Sequence, residues 1–63
     1  MQYSLKELRA RKNWTQAQTA EALEISTQTY NAWERDFGRV KTSNAKRVAE
    51  LFGVKVDDIF FRE

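Results

Sequence analysis

Sixty-three residues, 41% of them hydrophobic and 32% charged, carry a net charge of +2 with no cysteine and no histidine. That leaves room for one modest core and excludes a disulfide framework, a cysteine zinc site and histidine-based acid–base or metal chemistry. No apolar run approaches the roughly 20 residues of a membrane span, and MQYSLKELR has no apolar signal region, so a single cytoplasmic domain over residues 1–63 is expected.

The absence of proline, with glycine only at Gly38 and Gly53, favours helices over a turn-rich β fold. Ser4 can cap a first helix, with Glu7 three residues on completing a capping box. Leu5 and Leu8 then share a buried face, Ala10 allows close packing, and Arg9, Arg11 and Lys12 suit the negative end of the helix dipole. Asn13 stops this helix, Trp14 anchors the connection, and Thr15 caps the next.

A second helix is expected from Gln16 to Leu23 or Glu24, with Ala17, Ala20 and Leu23 at three-residue spacing on its inner side. Ile25 points inward from a three-residue turn, and Ser26 or Thr27 caps a third helix over 27–35. Tyr30 and Trp33 form its buried stripe, leaving Thr27, Gln28, Asn31 and Ala32 toward solvent. Residues 36–42 are the longest irregular stretch; Gly38 is free to take positive φ there, while Phe37 and Val40 tuck back onto the core.

A fourth helix starts near Ser43 and places Ala45, Val48, Ala49 and Phe52 at i, i+3, i+4 and i+7. Gly53 ends it, with Val54 making the hydrophobic contact beyond. Asp57 or Asp58 opens a short fifth helix anchored by Ile59 and Phe60.

Charge is unevenly spread. Residues 35–47 hold Arg35, Arg39, Lys41, Lys46 and Arg47 against Asp36 alone, whereas residues 48–63 hold Lys55 and Arg62 against four acids. A basic band beside a helix pair can orient an anionic partner; it is also what an ordinary solvated surface looks like.

The pair of short helices over Gln16–Glu34 has two readings: a generic helical corner, or a helix-turn-helix that lays its second helix in the DNA major groove. Ala20 at the crossing, a seam of Leu23, Ile25, Tyr30 and Trp33, and an outer face of Thr27, Gln28 and Asn31 favour the second. Glutamine and asparagine can pair bidentately with adenine, and threonine can touch a thymine methyl. Enzymatic chemistry fits poorly. Asp57 and Asp58 are adjacent rather than convergent, no nucleophile has a base partner, and no Gly-rich phosphate loop exists.

The run TQAQTAEALEISTQTYNAWER resembles the helix-turn-helix of the phage repressor and Cro family, the xenobiotic-response-element type. The matching residues are Thr15-Gln16, Ala20, Ile25-Ser26, Gln28-Thr29 and Trp33-Glu34. SLKELRARK resembles the family's first helix and AKRVAELFGVKVDDIF its last two, so the likeness spans nearly the whole chain. Three departures stand out. Thr19 replaces the usual leucine, Glu24 occupies a turn position where glycine is common, and Asp36-Phe37 stand where Gly and Lys are usual.

The resemblance implies an all-α, five-helix lambda-repressor-like domain with its helix-turn-helix at helices 2 and 3. It implies a phage- or prophage-type transcriptional regulator, a repressor, bound as a homodimer to double-stranded operator DNA. No cofactor, metal, membrane or small-molecule ligand is implied. Thr27, Gln28, Asn31 and Ala32 would read bases; Gln16, Ser26, Arg39 and Lys41 would hold phosphates. Arg9 and Glu34 would form an ion pair tying helix 1 to helix 3. Val54, Val56, Phe60 and Phe61 would supply the dimer patch. The alternative is a protein-binding module on the same fold, such as an antitoxin or antirepressor.

Overall fold

A computed structural model describes residues 2–59. It contains four α-helices, α1 (Leu5–Arg11), α2 (Gln16–Leu23), α3 (Thr27–Arg35) and α4 (Thr42–Phe52), and two single 3-10 turns, Phe37–Arg39 and Val56–Asp58. There is no strand among the described residues, only an isolated parallel bridge between Tyr3 and Ile59.

Local chemistry accounts for the helix starts. Ser4 and Glu7 form the expected capping box, each side chain accepting from the other's backbone N–H at 3.1 Å. Thr15 and Gln18 form a second at 2.8 and 3.1 Å, and Ser26, not Thr27, caps α3 by accepting from Thr29 N at 3.1 Å. α4 begins one residue before Ser43, from Lys41, whose side chain makes no capping bond.

The ends of α1, α2 and α4 share one geometry. Asn13, Glu24 and Gly53 are left-handed, at φ 57°, 60° and 70°. Each is followed by an apolar residue whose N–H reaches back five residues: Trp14 to Arg9 O, Ile25 to Ala20 O and Val54 to Ala49 O, at 3.3, 3.0 and 3.0 Å. This is the Schellman closure, which satisfies carbonyls the helix leaves open. Glycine takes that conformation without steric penalty, whereas glutamate at 24 bears about 1 kcal/mol of strain.

The core gathers Leu5, Leu8, Ala20, Leu23, Tyr30, Phe37, Ala45, Val48, Ala49 and Ile59, with Ile25, Trp33, Val40 and Phe52 packed around it. Trp14 tilts against Phe52 at 6.4 Å between ring centroids, joining the α1–α2 connection to α4. Arg47 reaches from α4 to donate to Leu23 O at the end of α2.

Several expectations are corrected. The fifth helix is a single 3-10 turn: Ile59 leaves it in an extended conformation and Tyr3 N donates to Asp58 O at 2.6 Å, so pairing with the N-terminal segment replaces a further helical turn. Residues 36–42 are not wholly irregular, because Asp36 Oδ1 accepts from Gly38 N at 3.1 Å and nucleates the Phe37–Arg39 turn. Gly38 accordingly does not take positive φ. Ala10 and Ala17 are exposed rather than packed, and Trp33 is only half-buried. Thr19, in place of leucine, is fully buried. Its hydroxyl donates to Thr15 O at 3.0 Å, which spares the core an unpaired polar group.

Candidate functional site

On α3, positions 28, 31, 32 and 35 recur at the spacing of one helical face, opposite the fully buried Tyr30. The turn of Glu24, Ile25 and Ser26 sets this face beside the start of α2. The result is an open concavity of ≈ 390 Å³ lined by Gln16, Thr27, Gln28, Asn31, Ala32 and Arg35. Thr27, Gln28, Asn31 and Ala32 therefore come together, joined by Gln16. The lining mixes amide donors and acceptors, a hydroxyl, two methyl-bearing side chains and one guanidinium, and contains no acid.

Behind the concavity runs a directed hydrogen-bond network. Arg9 Nε donates to Glu34 Oε2 at 2.7 Å, and Arg9 Nη1 donates to Trp14 O at 2.9 Å. Gln16 Nε2 donates to Glu34 Oε1 at 3.0 Å, and Asn31 Nδ2 donates to Gln16 Oε1 at 3.3 Å. The Arg9 and Glu34 side chains are 17% and 9% exposed, so the pair is largely shielded from solvent.

The charges respond accordingly. The bond to Glu34 raises the pKa of Arg9. Burial acts to raise Glu34, but the hydrogen bonds from Arg9 and Gln16 outweigh it and hold the carboxyl below its ordinary value of 4.5. Burial, then the neighbouring Glu34 carboxylate, pushes the Tyr30 hydroxyl far above its ordinary value. That hydroxyl has no partner in hydrogen-bond geometry among the described residues.

The remaining predicted residues lie elsewhere. Ser26 is occupied as the cap of α3, also donating to Thr29 Oγ1 at 2.9 Å. Arg39 is highly exposed and pairs with Asp36 at 3.2 Å, and Lys41 is exposed at the entry to α4. Neither lines the concavity. Val54 and Val56 are half-buried against the core, and Phe60 and Phe61 lie outside the described residues.

Two features escaped the sequence reading. Arg35 had been counted only in the basic band, although its i, i+3, i+4, i+7 relation to Gln28, Asn31 and Ala32 was a sufficient signal. The contacts of Gln16 with Glu34 and Asn31 lie 18 and 15 residues away, and no local pattern marks them.

Residues 5–59 match the helix-turn-helix family. The chain is 36% identical over 59 residues to the HTH-type transcriptional regulator AnsR of Bacillus subtilis, covering 94% of this chain and 51% of AnsR. It thus spans about half the length of that relative. It is 40% identical over 63 residues to an uncharacterized HTH-type transcriptional regulator, MJ0272 of Methanocaldococcus jannaschii, covering all of this chain and 96% of that protein. No solved structure matches it. The geometry of α2 and α3 and the matched residues agree, and the chain belongs to the Cro/C1-type, xenobiotic-response-element family of helix-turn-helix proteins.

Proposed function

We propose that this chain binds double-stranded DNA sequence-specifically and regulates transcription as a repressor, with α3 in the major groove. The observation that carries the reading is the acid-free concavity, where Thr27, Gln28, Asn31, Ala32 and Arg35 on α3 meet Gln16 on α2. Amides, hydroxyl and methyl groups are what base edges in the major groove require. The names of AnsR and MJ0272 as transcriptional regulators support it.

In this reading Gln28 and Asn31 hydrogen-bond to bases, while Thr27 and Ala32 offer methyl contacts to thymine. Phosphates are held by the free backbone N–H groups at the start of α2, by the second amide proton of Gln16, by Ser26 once its hydroxyl proton turns from Thr29 Oγ1 to the phosphate, and by Arg39 and Lys41. The Arg39–Asp36 pair is a surface contact and costs little to exchange for a phosphate. Two copies would pair through the Val54–Val56 end together with Phe60 and Phe61, reading half-sites about 10 bp apart. Repression then follows from occluding a promoter.

The test is selection of bound sequences from a random duplex pool, followed by affinity measurements against salt. Gln28→Ala should relax preference at one base position by about 1–3 kcal/mol; Lys41→Ala should weaken all sequences alike and lower the salt slope by about one. Identical behaviour of the two variants on specific and random DNA would show the assigned roles to be wrong.

A further inference from the structure

The end of α2 lacks what a helix C-terminus needs. Its last turn carries no basic residue, and Glu21 and Glu24 place acids where the dipole is already negative. Its open carbonyls are unevenly served. The N–H groups of Glu24 and Ile25 return to Ala20 O and Glu21 O, and no backbone N–H of the turn reaches Leu23 O. A residue 24 positions away meets both needs: Arg47 of α4 donates Nη2 to Leu23 O. Its Nη1 faces Asn44 Oδ1 at 3.5 Å, so the guanidinium is held on two sides.

The place of this cation decides what it can serve. In the proposed reading α2 meets phosphate at its start, and Leu23 lies about 10 Å further along the helix axis, at the opposite end. That is about one Debye length at physiological salt. Arg39 and Lys41 stand on the segment that runs into α4, and Lys41 is the N-cap of that helix. Phosphate grip is thus tied to α4, and base reading to the α2–α3 pair. Ala20 and Leu23 of α2 share the core with Ala45, Val48 and Ala49 of α4. Apolar burial has no direction, so it does little to stop one helix sliding on the other. The bond from Arg47 to Leu23 O has a direction.

We propose that Arg47 is a positioning residue for operator recognition and not a phosphate ligand: by capping α2 from α4, it holds base readers and phosphate grip in one register. The proposal rests on the reading of α3 as the DNA-facing helix. Random DNA requires only positive charge near phosphates, whereas an operator requires base edges and phosphates to be met at once. Arg47 therefore raises the ratio of operator to random affinity without touching DNA.

The experiment measures wild type, Arg47→Met and Lys41→Ala against salt, on the selected operator and on a random duplex, at a temperature where circular dichroism shows each folded. Methionine keeps the aliphatic stem and removes the donors. Arg47→Met should lower operator affinity about fivefold or more while random affinity stays within about twofold and the salt slope is unchanged. Lys41→Ala should weaken both duplexes alike and lower the slope by about one. An Arg47→Met variant that behaves like Lys41→Ala overturns the proposal in favour of a phosphate contact. One that leaves both affinities unchanged overturns it in favour of a cap that serves stability alone. A wild-type chain with no salt-dependent binding to any duplex overturns the parent reading itself. In the free wild-type protein, rotation about the Cζ–Nη bonds, read by nuclear magnetic resonance, should be slower in Arg47 than in the exposed Arg35. Equal rates also overturn the proposal, independently of how the variants fold.

Discussion

The two ends of this molecule are held by different forces. Where α1, α2 and α3 meet, Arg9, Gln16, Asn31 and Glu34 are joined by hydrogen bonds of stated direction. Where α4 meets the Val56–Asp58 turn and the N-terminal segment, Ile59 and Val48 are wholly buried among apolar neighbours. Apolar burial is non-directional and scales with area, so the second end contributes stability and tolerates side chains of similar volume. Directed bonds contribute less net free energy but determine orientation, because each donor must face one acceptor. The face that must present a pattern to a partner is backed by the directional kind.

The largest effect is expected at the apolar end. Ile59→Ala should cost about 2–5 kcal/mol, a large share of the stability of so small a domain. Denaturant unfolding should show the loss, and an unchanged midpoint would show that Ile59 is not the anchor described.

Arg9→Ala should come next. It removes the bonds to Glu34 and to Trp14 O, at about 1–3 kcal/mol near neutral pH. This loss should depend on acidity. Glu34 has a folded-state pKa below its ordinary 4.5, so its contribution is complete above that value and is lost as pH falls through the lower folded value. The stability gap between wild type and Arg9→Ala should therefore narrow as pH drops below 4.5. A gap that stays constant through that window would place the energetic role of Arg9 elsewhere. No comparable pH dependence belongs to Ile59→Ala, which sharpens the contrast between the ends.

The smallest effect lies in the turn between α2 and α3. Glu24 and Gly53 adopt the same left-handed closure, one with a side chain and one without. Glu24→Gly should raise stability by up to about 1 kcal/mol, read as an upward shift of the unfolding midpoint. A destabilised variant would mean that the glutamate side chain contributes something its exposed position does not reveal.

Local chemistry in the sequence determined the helix boundaries. Ser4 with Glu7, Thr15, Ser26, Asn13 and Gly53 act over three to five residues, and such signals do not need the rest of the fold. The same holds for the outward face of α3, since a period of 3.6 places Gln28, Asn31 and Ala32 together whatever lies behind them. Tertiary structure decided what happens between distant residues. Residues 59 and 60 carried an apolar anchor that suits a helix, yet Ile59 pairs with Tyr3 because the two ends of the described chain lie side by side. Gln16 has the composition of a phosphate donor, and only the approach of Glu34 and Asn31 turns its amide toward the protein. Hydrogen-bond direction depends on which partners arrive within about 3 Å, and sequence spacing cannot state that for residues 15 to 25 positions apart.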